Sequence, residues 1–369
     1  MPSPRIQPRT LKGFRDYLPQ AMLPREQIID TARRVFRSYG FSPIDTPALE
    51  YLEILLGKGG AETDKQLYRF QDHGGRDVGL RFDLTVPLAR FAAQHISELG
   101  TPFKRYHIGT VWRGENTQRG RFREFMQCDF DTIGSKSMAA DAEMILVVRE
   151  LLTQIGFARF TIHLNNRSIL TGLLQKTGLA DSSTLVLRAL DKLHKIGAEK
   201  VADEMQSVAG ATPSQAGTIL ELASLSGSND EILAALNALS KGHELAEAGV
   251  DRLRDVLHLA DSVPGQKGNL QIDPSIARGL DYYTGIVLET TLDDIDIGSV
   301  CSGGRYDNLA ELYSNQQLPG IGASLGLDRL LDAMHELGML GASQTAAQVF
   351  IPYFDASHIA DYFKLAATL

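Results

Sequence analysis

The sequence predicts an α+β fold, an antiparallel β-sheet flanked by helices and interrupted by a helical insertion, on three observations. Residues 103–112 and 122–133 read as two long strands joined by the polar loop RGENTQRGR, a hairpin. Residues 24–39 set Ile28, Ala32, Val35, Phe36 and Tyr39 along one helical stripe with charges opposite. From about 166 to 265 strand patterns disappear, and LTGLLQKTGL, STLVLRALDKLHKIG, QAGTILELASL and NDEILAALNAL follow as short helical segments separated by Gly, Ser and Asp.

The first helix ends at Gly40, and FSPIDTPALEY, with Pro43 and Pro47, suits an edge or interface strand. Leu80, Phe82, Leu84 and Val86 alternate with Arg81, Asp83 and Thr85, which predicts a half-buried strand before a short helix opened by Pro87. A helix at about 138–155 and the strand FARFTIHLN follow the hairpin. After the insertion, strands are expected at 270–273, 285–291 and 298–302, and GIGASLGLDRLLDAMHELG passes from a Gly-rich strand into a helix. Beyond the polar linker GASQTAAQ, VFIPY should begin a strand and ASHIADYFKLAATL a helix, a single βα unit too small to fold alone.

A chain of 369 residues, 43% hydrophobic, can form two or three domains with proper cores. No apolar run reaches the ~18 residues of a membrane span, and the N-terminus lacks the apolar centre of a secretory signal, so the expected address is cytoplasmic, with no membrane partner. The two cysteines, Cys128 and Cys301, have no metal-site spacing and read as small buried residues. A formal net charge of −8 argues against DNA binding by the general surface and restricts any polyanion to a concentrated site.

Counting by twos along RFREFMQCDFD puts Arg121, Arg123, Phe125, Gln127, Asp129 and Asp131 on one face, with Phe122, Met126, Cys128 and Phe130 on the other. Arginines at 113, 119, 121 and 123 around a polar loop suit a triphosphate, because guanidinium groups grip phosphate oxygens bidentately; a solvated hairpin shows the same pattern. Arg81, Asp83 and Thr85 offer an acceptor and a hydroxyl to an ammonium-bearing ligand, or a solvated edge. The glycines of CSGGRYDNL, ahead of Arg305 and Tyr306, allow backbone to approach a ligand or make a tight turn. In GIGASLG the glycines fall at 320, 322 and 326, which breaks the dinucleotide-binding fingerprint at Leu325. No GxxxxGK[ST], HExxH or serine-nucleophile pattern occurs, so the chemistry is expected to rest on positioning and charge.

Taken in order, these pieces resemble one family. GFSPIDTPAL, with Gly40, Ile44 and Pro47, is similar to motif 1 of the class II aminoacyl-tRNA synthetases; VWRGENTQRGRFREF resembles motif 2, and GASLGLDRL, with Arg329, motif 3. ARGLDYYTG and CSGGRYDNL resemble the signatures peculiar to histidyl-tRNA synthetases, over about residues 10–369, while LRFDLTVP and REFMQCDFD look closer to the eukaryote-like branch. The resemblance implies a class II catalytic core over 1–165 and 266–342, a helical insertion at 166–265 and the start of a truncated anticodon-binding domain at 343–369.

It also implies a homodimer acting on L-histidine, ATP with Mg2+, and tRNA(His), first forming histidyl adenylate. Arg113 and Arg278 would be catalytic, Arg278 as a fixed cation beside the histidine carboxylate and α-phosphate. Asp83, Thr85 and Gln127 would hold the α-amino group, Asp131 would accept from the imidazole, and Tyr282, Tyr283 and Tyr306 would line its pocket. Adjacent strand residues point to opposite faces, so one tyrosine should meet the imidazole directly and the other support the pocket or the reacting end. Arg113 and Arg121 would bind phosphates, Glu115 the polar side of adenine, and Phe125 with Arg329 would sandwich the ring. The competing expectation is a synthetase-like, histidine-sensing regulatory subunit of ATP phosphoribosyltransferase, which also lacks an anticodon domain. Retention of Arg113, Arg121, Arg278 and Arg329 favours the enzyme.

Overall fold

The computed structural model describes residues 5–56, 61–265, 268–276, 282–341 and 345–369. Its strands are β1 (Ser42–Pro43), β2 (Leu49–Tyr51), β3 (Arg69–Gln71), β4 (Asp77–Leu80), β5 (Phe103–Trp112), β6 (Glu124–Ile133), β7 (Phe160–Asn166), β8 (Asn269–Ile272), β9 (Ile286–Leu292), β10 (Cys301–Tyr306) and β11 (Gly320–Gly326). Eight form one sheet in the order β1-β5-β6-β11-β10-β9-β7-β8, and β2-β4-β3 make a small sheet beside it. Pairing in the large sheet is antiparallel except at its two edges, β1 with β5 and β7 with β8.

One face of the large sheet is covered by helices Pro19–Ser38 and Met138–Ile155. Met126, Cys128 and Phe130 of β6 point into this layer, where Phe130 lies 5.0 Å from Phe36 between ring centroids. The residues between them, Phe125, Gln127, Asp129 and Asp131, face the other way, as the alternation in RFREFMQCDFD requires. Cys128 and Cys301 are both buried and free.

Two expectations are corrected, one choice between alternatives is decided and one boundary moves. Residues 80–86 are not a strand: β4 ends at Leu80 and a helix starts at Thr85. Phe82, Leu84 and Val86 are fully buried, but so are Arg81 and Asp83, because Asp83 turns back to accept the Val86 N–H at 3.0 Å and Arg81 donates to the carbonyls of Thr46 and Thr110. Apolar alternation here records a buried, irregular connection between β4 and the helix. The glycines of CSGGRY sit inside β10 rather than in a turn. VFIPY forms no strand, since among the described residues none pairs with 349–353; Phe350 and Phe354 are exposed, and helix Ile359–Thr368 has no buried residue. The first helix starts at Pro19, earlier than its apolar stripe indicates.

Residues 167–261 are helical, with Asn166 at the joint: its Oδ1 caps Arg167–Lys176 through Ser168 N–H, and its Nδ2 donates to Gly249 O at 3.0 Å. The last of these helices, Glu244–Asp261, docks on Met138–Ile155 through Asp141, which accepts from Arg252 on one oxygen and Arg305 of β10 on the other. Helix Pro213–Ala223 carries a reciprocal cap: Thr212 Oγ1 accepts from Gln215 N–H, and Gln215 Oε1 from Thr212 N–H. Thr212→Ala is expected to cost about 1 kcal/mol, read from the denaturant midpoint.

Candidate active site

The uncovered face of the sheet, with the β5–β6 loop and Tyr282 and Tyr283, lines a cavity of about 530 Å³. Asp83 and Thr85 reach it from the turn ahead of helix Thr85–Leu99, and Gln127 and Asp131 from β6. Tyr282, Tyr283 and Tyr306 form its aromatic wall. Arg113, Glu115, Arg121, Phe125 and Arg329 line the opposite end. Arg278 lies outside the described residues.

The amino-acid end is a buried polar cluster. Tyr306 donates its hydroxyl to Asp131 Oδ1, and Arg105 Nη2 lies 2.7 Å from Asp131 Oδ2. Tyr282 donates to Asp83 Oδ2 at 3.3 Å. Burial raises both carboxyls above their usual range, opposed at Asp131 by Arg105 and Tyr306 and at Asp83 by Val86 N–H and Arg113. Tyr282 and Tyr283 do not occupy opposite faces. They precede β9, which begins at Ile286, so strand alternation does not apply, and both line the cavity with ring centroids 5.1 Å apart.

Arg105 and Asp129 belong to this cluster too. Arg105 is fully buried; it donates to Leu84 O and stands opposite Asp131 across β5 and β6. Asp129 shares the face of Gln127 and Asp131, and desolvation pushes it up to about 7, opposed by Arg105 and reinforced by Asp131. The parity of β6 displayed Asp129; the role of Arg105 needed the pairing of β5 with β6.

Gly322 makes part of the floor, and Gly303 lies close beside it. A Cβ on Gly322 would stand 2.1 Å from Asp131 Oδ1 and 2.5 Å from Phe130 O, and one on Gly303 would stand 2.3 Å from Gly322 O. Neither has a left-handed φ, so close approach is the reason for glycine at both. Gly322→Ala should therefore cost about 1–3 kcal/mol by overpacking and weaken amino-acid binding, checked by thermal unfolding and ligand titration.

At the other end, Arg113 donates through Nε to Phe82 O at 2.9 Å, and its guanidinium carbon lies 5.1 Å from the Phe125 ring centroid. Arg121 Nη1 stands 3.6 Å from Glu115 Oε2, with its side chain half-exposed. Gly120 at the loop tip meets the Arg329 side chain, and Arg329 Nη1 donates to Ser299 O. Two of the noted arginines serve elsewhere: Arg123 donates to Glu115 O, and Arg305 faces Asp141. Arg81, offered as a ligand-facing group, is committed to backbone carbonyls.

A largely antiparallel sheet with a cavity on its open face, an arginine-bearing β-hairpin over it and a strand–helix element carrying Arg329 is the catalytic core of a class II aminoacyl-tRNA synthetase. The model of the family "Histidyl-tRNA synthetase" matches residues 13–330. A histidine–tRNA ligase of Rhodopirellula baltica is 63% identical over 99% of this chain and 83% of its own length, and one of Wolinella succinogenes is 49% identical over the same shares. A crystal structure of histidyl-tRNA synthetase from a Nostoc species superposes with a TM-score of 0.87 at 36% identity, covering 99% of this chain and 84% of that one. A Bacillus halodurans protein described as an ATP phosphoribosyltransferase regulatory subunit/histidyl-tRNA synthetase, TM-score 0.76 at 24% identity, over 89% of this chain and 84% of that one, shares the fold. The chain belongs to the histidyl-tRNA synthetase family.

Proposed function

We propose that this chain activates L-histidine with ATP, releasing pyrophosphate and forming histidyl adenylate, and then transfers histidine to the 3′ end of tRNA(His). It is an ATP-dependent, AMP-forming ligase by family, and high identity across nearly the whole chain favours this over the regulatory-subunit alternative. The observation that carries the site assignment is one cavity holding carboxyls and tyrosines at one end and arginines at the other. A small cationic amino acid suits the first and a polyphosphate the second.

In this reading Asp83, Thr85 and Gln127 hold the α-ammonium, while Asp131, oriented by Tyr306 and Arg105, accepts from the imidazole. Tyr282 and Tyr283 close the ring pocket. An isostere without ring N–H would leave Asp131 unmatched, which gives selectivity. Arg113 and Arg278 flank the reacting carboxylate and α-phosphate. The carboxylate oxygen forms a bond to the α-phosphorus as the bond to the pyrophosphate oxygen breaks, and the cations stabilise charge moving onto the leaving group. Arg121 takes the outer phosphates, Glu115 the polar edge of adenine, and Phe125 and Arg329 its two faces. Magnesium would come with ATP, held mainly by phosphate oxygens: among the described residues no group of three His, Cys, Asp or Glu could hold a metal, and Mg2+ needs few protein ligands beside a polyphosphate.

The helical segment 166–265 is read as a lid contacting the tRNA acceptor arm, between the two parts of the catalytic core at 1–165 and 266–342, and 343–369 as the start of an anticodon-binding domain. Exposed Leu49, Tyr51 and Phe70 on the small sheet support a homodimer through the motif 1 side, to be checked by solution mass. No described helix is long and apolar enough to cross a membrane, and the cytoplasm is the proposed location. The test is exchange of labelled pyrophosphate into ATP. Exchange that requires histidine and no other amino acid is expected; its absence in folded, ligand-binding protein would favour the regulatory subunit.

A further inference from the structure

We propose that Asp129 is a further substrate-contacting residue of the amino-acid pocket, its free carboxylate oxygen accepting an N–H of the α-ammonium group. The inference rests on the reading of the site as a histidine pocket and assigns it a residue beyond those already given roles. Asp129 is 2% exposed and lines the cavity midway between Gln127 and Asp131 on one face of β6. Its Oδ1 has no hydrogen-bond partner. The neighbouring acids draw more support from the protein, Asp83 from Val86 N–H and Tyr282, and Asp131 from Tyr306 at one oxygen with Arg105 Nη2 2.7 Å from the other.

A second observation fixes which end of the substrate this oxygen serves. Gln127 donates its amide to Ser324 Oγ at 2.7 Å, and Ser324 is hydrogen-bonded to Asp129, its partner across β6 and β11. Committing the amide N–H leaves Gln127 Oε1 as a second buried acceptor without a partner. Two unmatched acceptors, tied through one serine hydroxyl, thus border the same cavity, a costly arrangement unless a ligand supplies donors. An ammonium group carries three N–H donors and the positive charge that a pocket with Asp83, Asp129 and Asp131 around Arg105 calls for. Burial holds the Asp129 carboxyl near 7, the state of an acid awaiting a cation.

Exchange kinetics of the full chain test this with Asp129→Asn. The Michaelis constant for histidine should rise at least ~10-fold while that for ATP stays within about twofold, the size of one lost charge-assisted contact. Histidinol, which keeps the ammonium, should bind correspondingly more weakly to the variant, and imidazolelactate, which lacks it, equally well. A histidine constant unchanged in folded Asp129→Asn, or equal weakening of both analogues, overturns the proposal. If Asp129→Asn does not fold, Ser324→Ala substitutes: a several-fold rise for histidine alone supports the contact, and no change sinks it. Absence of exchange in the unsubstituted protein would instead count against the enzymatic reading itself.

Discussion

Arg113→Ala should reduce histidine-dependent pyrophosphate exchange by about 10²–10³-fold or more, the scale of losing a preorganised cation at developing charge, with folding largely intact. Arg113 spans the two ends of the cavity: its Nε is anchored on Phe82 O, its guanidinium lies over Phe125, and it adds to the field on Asp83. Such a group is held in place before substrate arrives, so in the proposed reaction it would stabilise the leaving pyrophosphate without reorganising. Arg278→Ala is expected to act similarly, with little change in melting temperature. Substituting both should cost less than the sum of the logarithmic losses, because the two cations address one centre. A large loss of stability with either single substitution, or exchange within tenfold of the parent, would remove that residue from the catalytic machinery.

Asp328→Ala should destabilise the fold by about 3–5 kcal/mol, the range for stripping a buried ion pair of one partner. Asp328 is 2% exposed and sits where three segments meet. It accepts from Arg15 at 2.7 Å, Arg25 at 2.5 Å, Met126 N–H at 2.8 Å and the Tyr17 hydroxyl. Its removal leaves Arg25, a buried side chain of the first helix, without its carboxylate. Burial works to raise this carboxyl, but Arg25, Tyr17, the Met126 amide and Arg15 outweigh it and hold it below the ordinary value. The stability it contributes is therefore present above the unfolded carboxylate value near ~3.9 and lost as pH falls through the depressed folded value. Denaturant midpoints measured from pH 6 down to 2.5 should fall more steeply in the parent than in Asp328→Ala. Parallel curves would mean that the network contributes nothing net.

Arg329 follows Asp328 in the chain, so the bond that ties this helix to β6 also sets the height of the side chain proposed to stack on adenine. Loss of ATP binding in Asp328→Ala should accompany its loss of stability and be partly relieved in Asp328→Asn, which keeps an acceptor for the Met126 amide.

Most of the sheet was legible along the chain. The β5–β6 hairpin, the apolar stripe of the first helix and the alternation of β6 depend on periods of 3.6 and 2, local properties that survive without knowledge of neighbours. The same logic misread residues 80–86, where apolar and charged residues alternate because an irregular connection is buried and Asp83 turns back to accept the Val86 N–H. It misread VFIPY as well, since a strand exists only with a partner to pair with. Tyr282 and Tyr283 defeated the alternation rule by standing just ahead of β9.

The linear order of residues by itself determined the family, the helical interruption, and twelve of the side chains that line the cavity, because each is carried by a short motif with its own spacing. Only the tertiary structure decided which charges confront one another. Arg105 opposite Asp131, Ser324 between Gln127 and Asp129, and Asp328 with its four donors all join segments far apart in the chain. Their energies depend on burial and on strand register, and neither is a property of any local stretch of residues.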